Sequence, residues 1–277
     1  MEHRVHRGGG EAELDRGLGR DEGAVAPGPP SQQRAQRVLD RVNLVVPDGS
    51  ITVLLGPSGA GKTITIKHIV GLILPDSGVV GVRGRNLSAL SDDELNEVRR
   101  EMSVAMQGNQ PFTCGLFFSL NVYENVAYPL RTRTRMPPEE LHQVVMQHLD
   151  MVGLRDRAAS MPEHLSSGMR KRTALARALA LDARIVIIDD FDSGLDGVRL
   201  ALLTELIQDV HAQTGATFLV TTHDMTAARQ LADHVAVIHE GRIVEGGAAD
   251  AVFGSREPLV RQLVTGAASG PIRLRDV

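Results

Sequence analysis

The segment Gly56-Pro57-Ser58-Gly59-Ala60-Gly61-Lys62-Thr63 has the glycine spacing and the closing Lys-Thr pair that a phosphate-binding loop requires. Glycines let successive backbone N–H groups curl around an anion, and the positive end of the following helix adds to the attraction. Lys62 would then reach the β and γ phosphates of a nucleotide, and the Thr63 hydroxyl would ligate magnesium. Further along, Ile185-Val186-Ile187-Ile188-Asp189 is an apolar run that ends in a carboxylate. Such a run suits a buried strand that carries a magnesium-coordinating acid to a phosphate site. Asp190 follows directly, where it would orient or deprotonate an attacking water. His223, in Thr221-Thr222-His223-Asp224, would hold the γ-phosphate and that water. A strand-end aspartate alone is as often structural, and a lone histidine usually is. Only the company of the phosphate loop raises these residues above that reading.

These residues need a scaffold that brings distant segments to one edge. Ile51 to Leu55 reads as a strand running into the glycine-rich loop, with Val42 to Val46 as a preceding strand across a Pro47-Asp48-Gly49 turn. Gly61 to Leu72 is the expected helix, although its isoleucines disfavour it and tertiary burial must hold it. Val79 to Arg83 reads as a strand, and Ser91-Asp92-Asp93-Glu94 as a capping box opening a helix through Arg100. Met102 to Met106 is a short buried strand. Residues 119 to 182 read as mainly helical; one helix starts at Pro137-Pro138-Glu139-Glu140 and buries Leu141, Val144, Val145, Leu149 and Val152. Strands return at Arg184 to Ile188, Thr217 to Thr221 and His234 to Ile238, with helices between them. That alternation belongs to a largely parallel sheet. The fold class expected is α/β, with a helical insertion in its core and no internal repeat.

Composition narrows the classes further. The 277 residues are 42% hydrophobic, enough to bury a core, and carry a formal charge of −4. No basic excess is available for a nucleic-acid backbone, so DNA and RNA are not expected as partners. A single cysteine, Cys114, excludes an internal disulfide and any Cys-based metal site. No apolar run is long enough to span a bilayer or to serve as a secretory segment, so a cytoplasmic location is expected. Residues 1–36 are Gly-rich, mixed in charge and end near Pro27-Gly28-Pro29-Pro30, which reads as a disordered tail. Arginine outnumbers lysine 27 to 3, which makes the placement of Lys62 the more notable.

From Val38 onward the chain resembles the ATP-binding cassette (ABC) ATPases. The motifs occur in that family's order: the phosphate loop, Gln107, Leu165-Ser166-Ser167-Gly168-Met169, Asp189-Asp190, Ser193-Gly194-Leu195-Asp196 and His223. The resemblance implies a P-loop NTPase (RecA-like) core with an antiparallel β-subdomain and an inserted α-helical subdomain. The cassette would span 37–265, the helical part about 108–182, and a C-terminal tail 266–277. ATP and Mg2+ are the implied ligands, with Gln107 sensing magnesium and the lytic water while contacting a membrane subunit. Ser166, Ser167, Gly168 and Met169 would reach across a head-to-tail dimer, homo- or heteromeric, to the partner's ATP.

A narrower resemblance rests on Asn121-Val122-Tyr123-Glu124-Asn125-Val126-Ala127-Tyr128-Pro129-Leu130-Arg131 and Gly168-Met169-Arg170-Lys171-Arg172. Both are similar to the ATPases of Mce and Mla lipid transporters, as are Val260-Arg261-Gln262-Leu263 and then Gly270-Pro271-Ile272 near the C-terminus. It implies a separate permease as partner, a Mce-domain lipid-binding protein beside it, and attachment to the inner face of the membrane through the permease. Of the eight aromatics, Phe112, Phe117, Phe118, Tyr123 and Tyr128 fall within seventeen residues. They are expected to divide between helical core and a groove for the permease.

The sequence also departs from the family. Asp190 stands where the family has glutamate, Phe191 where it has proline, and Ser167 where it has the first signature glycine. About five extra residues lie near Gly108 to Phe112. No aromatic precedes Phe112, so adenine cannot stack on one upstream of the phosphate loop unless an arginine such as Arg37 substitutes. Hydrolysis slowed by the shorter Asp190 is expected, and lengthening it to glutamate would raise the rate on this reading. A degenerate, weakly hydrolysing regulatory subunit is the alternative.

Overall fold

The computed structural model describes residues 37–105 and 115–273. The tail expected at 1–36, together with Gln107, Phe112 and Cys114, lies outside the described residues. In chain order the first elements are β1 (Ile51–Leu55), α1 (Lys62–Ile69), β2 (Gly81–Val82), β3 (Arg85–Asn86), α2 (Asp92–Arg100) and β4 (Met102–Ala105). Three helices follow: α3 (Val122–Arg133), α4 (Pro138–Met151) and α5 (Ser167–Leu179). Then come β5 (Ile185–Ile188), α6 (Gly197–Thr214), β6 (Thr217–Thr222), α7 (Met225–Leu231), β7 (His234–His239), β8 (Arg242–Ala248), α8 (Ala249–Phe253) and α9 (Pro258–Thr265).

The main sheet has the order β4-β5-β6-β1-β7-β8. All neighbours pair in parallel except β8, which closes the edge antiparallel to β7. β1 lies between β6 and β7, with Leu55 opposite Thr222 on one side and Val237 on the other. Its five residues are all buried because helices cover both faces. Ile51, Val53 and Leu55 join the core under α3 to α7, while Leu54 faces a second core with Ile66, Val70, Leu95 and Val98. The parallel register places the carboxyl ends of β1, β5 and β6 side by side. The loops that leave those ends carry the chemistry.

Local sequence explains where elements stop. α1 ends at Ile69, short of the expected Leu72, because Gly71 turns left-handed and Leu72 and Leu74 are exposed. Arg99 caps that end by donating to the carbonyls of Val70 at 3.2 Å and Gly71 at 2.7 Å. The capping box at Ser91 and Glu94 forms as the spacing predicts. The strand expected at Val79 to Arg83 shrinks to β2, since Arg83 and Gly84 both take positive φ and reverse the chain into β3.

Val42 to Val46 alternates in exposure yet forms no strand. Alternation sets which side chains turn inward, but a strand also needs a facing backbone, and the neighbouring tie is a single bond from Asp40 N–H to the Gly241 carbonyl at 2.8 Å.

In the helical insertion, Asn125 is fully buried on α3. Its Oδ1 accepts from Phe117 N–H at 2.8 Å, and its amide donates to the carbonyls of Phe117, Leu120 and Asn121 at 3.0, 2.9 and 3.0 Å. One side chain thus holds the loop before α3 on the helix. Asn125→Leu is expected to destabilise the fold by about 3 kcal/mol, because a buried N–H and carbonyls lose their partner. Chemical denaturation checks this; a loss below about 1 kcal/mol would mean the loop re-pairs elsewhere.

Candidate functional site

The phosphate loop leaves β1 and turns into α1. Gly56 has no room for a side chain: a Cβ there would run into the Ile238 carbonyl. Gly61 caps α1 with a φ of 108°, which only glycine adopts without strain. Lys62 Nζ donates to the Gly56 carbonyl at 2.5 Å and the Pro57 carbonyl at 2.9 Å, so its cation sits inside its own loop. Burial pushes the Lys62 ammonium below its ordinary pKa, and the charges of Asp190, Asp192 and Asp189 partly oppose that shift.

Thr63 is the second residue of α1 and Asp189 directly follows β5, 126 residues apart, yet Thr63 Oγ1 donates to Asp189 Oδ2 at 2.9 Å. The other carboxylate oxygen, Oδ1, accepts from Thr221 Oγ1 at 2.6 Å. Asp189 is therefore buried and held from both sides. A hydroxyl and a carboxylate fixed this close are the hard oxygen donors that magnesium takes. The residues fit the ion.

Asp190 takes a left-handed backbone, φ 55°. Its N–H donates to Thr221 Oγ1 at 2.8 Å, and its carbonyl accepts from Lys171 Nζ at 3.0 Å. Lys171, on α5, also donates to the Phe191 carbonyl at 2.6 Å. Phe191 is 1% exposed and sits in the core under the helices. His223, after β6, places Nδ1 3.9 Å from Asp190 Oδ1 and 3.0 Å from Asp192 Oδ2. The phosphate loop, Asp189, Asp190 and His223 thus converge on one end of the sheet.

The serine-glycine segment lies at a different junction. Ser166 caps α5, its hydroxyl accepting from Met169 N–H at 3.3 Å. Ser167 Oγ donates to the Gly194 carbonyl at 2.9 Å, and Gly168 faces Leu195 and Arg199. Met169 leans on the core. Ser167 and Gly168 thus meet the turn at Ser193 to Asp196 that leads into α6. Upstream of the phosphate loop, Arg37 is largely exposed and paired with Asp40 at 2.9 Å.

The sequence profile of the ABC transporter family matches residues 39–193. The chain belongs to that family. ABC cassettes bind and hydrolyse ATP, dimerise, and work with a membrane permease. This cassette is 40% identical over 238 residues to an intermembrane phospholipid transport ATP-binding protein, MlaF, of Escherichia coli, covering 86% of this chain and 87% of that one. It is 39% identical over 242 residues to a probable ribonucleotide transport ATP-binding protein, mkl, of Mycobacterium tuberculosis, and spans 66% of that protein's length. Among solved structures, the cassette MJ0796, a dimer bound to ADP and Pi, superposes with a TM-score of 0.69 at 30% identity, covering 76% of this chain and 90% of that one. The protein cbiO1 of Clostridium perfringens, part of the ABC transporter complex cbiONQ, shares the fold at a TM-score of 0.71 and 24% identity, covering 81% of this chain and 87% of that one. Among the described residues of the cassette, no helix is long and apolar enough to cross a membrane.

Two polar residues of this site were missed in the sequence. Lys171 is one of only three lysines, and that rarity was a signal. Asp192 gave none, because its partner His223 lies 31 residues away.

The aromatic cluster divides. Tyr123 packs on the core beside His142, ring centroids 5.5 Å apart, whereas Phe117 and Tyr128 are exposed and meet at a tilt, ring centroids 4.8 Å apart. With Leu72, Arg133 and Arg177 they line a cavity of about 420 Å³ beside β4.

Proposed function

We propose that this chain is the ATP-hydrolysing subunit of a transporter of the Mla and Mce lipid type, driving a separate permease as a dimer. The observation that carries the catalytic part is the 2.9 Å bond between Thr63 and Asp189, which joins the phosphate loop to the end of β5. Lys62 would exchange its loop carbonyls for β and γ phosphate oxygens, a charge-assisted contact of higher strength. Thr63 and Asp189 would hold magnesium, with Gln107 completing the set; the ion supplies neutralisation of phosphate charge. Asp190 would accept a hydrogen bond from the attacking water, and His223 would fix the γ-phosphate. Ser166 to Met169 would serve the partner's ATP, a role supported by the contacts of Ser167 and Gly168 with the Ser193 to Asp196 turn.

The 40% identity to MlaF over 238 residues supports the phospholipid branch. The groove of Leu72, Phe117 and Tyr128 suits an aromatic-anchored permease helix. Phosphate release by the purified chain should require magnesium and stop on chelation. ATP bound but never hydrolysed, with or without a permease, would instead select the regulatory subunit.

A further inference from the structure

Asp192 is a carboxylate in a place that packing does not explain. Its side chain is 3% exposed. Oδ2 accepts from the backbone N–H of His223 at 3.2 Å and of Asp224 at 3.1 Å, and stands 3.0 Å from His223 Nδ1. Oδ1 is buried with no hydrogen-bond partner among the described residues. Burying an acid with one orphaned oxygen costs stability, so a residue kept there needs another reason.

His223 supplies it. The ring is 57% exposed and carries two nitrogens, and which one faces the site depends on what the other bonds to. Two carboxylates compete for Nδ1: Asp192 at 3.0 Å, within hydrogen-bond reach, and Asp190 at 3.9 Å, outside it. We propose that Asp192 is a positioning residue that takes the Nδ1 proton of His223 in a hydrogen bond. It thereby turns Nε2 toward the bound nucleotide and leaves Asp190 Oδ1 unengaged by the imidazole, available to the water. This rests on the hydrolytic reading of His223 and Asp190 above. The imidazole is thus held by a buried acid as a metal-bound or triad histidine is, with the shorter Asp190 spared that task.

The competing account is structural: Asp192 would only anchor the loop after β6 through the two backbone amides. A double-mutant cycle separates the two. In the full-length chain, Asp192→Ala should lower kcat for phosphate release about 30-fold with KM for ATP nearly unchanged, while Asp192→Asn, which still offers Nδ1 an acceptor, should retain most activity. In a His223→Ala background, Asp192→Ala should change kcat less than about 2-fold, since its target is gone. Equal losses in both backgrounds, or a loss confined to KM, would overturn the proposal in favour of loop anchoring.

A readout independent of turnover is the 15N spectrum of histidine-labelled protein, with His223 assigned by its absence in His223→Ala. Nδ1 should carry the proton in the wild type and lose that preference in Asp192→Ala. A wild type protonated at Nε2 alone, or no change in the variant, refutes the dyad. A wild type that shows the Nδ1 tautomer but releases no phosphate refutes the hydrolytic reading and leaves the dyad standing.

Discussion

Lys62→Ala is expected to weaken ATP binding at least about 100-fold and to remove phosphate release. Two charge-assisted hydrogen bonds to phosphate oxygens are worth about 1.5–3 kcal/mol each, and 1.4 kcal/mol is a factor of ten. The fold should tolerate the change. Lys62 is partly buried, and burial disfavours its charged form, so the native state gives up a desolvated cation. Against this, Asp189, Asp190 and Asp192 lose the positive charge they share. These effects oppose one another, and the melting temperature should move by only a few degrees. Titration with a fluorescent ATP analogue, beside thermal melts, checks both halves. Unchanged nucleotide affinity in a folded variant would remove the phosphate loop from the site.

The chemistry was legible in the sequence where spacing alone constrains it. Gly56, Gly61, Lys62 and Thr63 must follow one another for a loop to curl around phosphate, so no tertiary knowledge was needed. Asp189 was legible because an apolar run ending in a carboxylate gains a use once a phosphate loop stands in the same sequence. Asp192 and Lys171 were not, since each acts through a residue 31 or 20 positions away that only the register of β5, β6 and α5 brings near. The same holds for the scaffold. β1 and β5 to β7 are buried on both faces and read as apolar runs, whereas β8 contains Glu245-Gly246-Gly247 and draws its pairing from β7 alone. Val42 to Val46 failed the other way, having the right alternation and no strand to pair with.

Asp190→Asn is expected to cut turnover by about 10²- to 10³-fold while ATP affinity stays within a few-fold, the size of effect a general base commands. Asparagine keeps the shape, and it tolerates the left-handed φ of 55° as aspartate does, so the loss isolates the charge. Glutamate is the sharper test. From the sequence alone, lengthening the acid should restore the family's reach and raise the rate. The backbone argues the opposite. With Phe191 in place of proline, residue 190 is free of the steric restriction that precedes proline. It has entered the left-handed region, held there by Thr221 Oγ1 and Lys171 Nζ. On this reading the departures at 190 and 191 act together, with the turn set for the shorter acid.

Asp190→Glu should therefore overshoot, lowering kcat about 10-fold, since a misplacement near 1 Å costs up to about 10². It should also lose about 1 kcal/mol of stability, because a longer side chain gains no local hydrogen bond to offset left-handed φ. Steady-state phosphate release and thermal melts on the three proteins decide the matter. A gain in turnover by the glutamate variant would show that the turn relaxes and that the two departures are independent. Equal turnover in all three would take the catalytic role from Asp190.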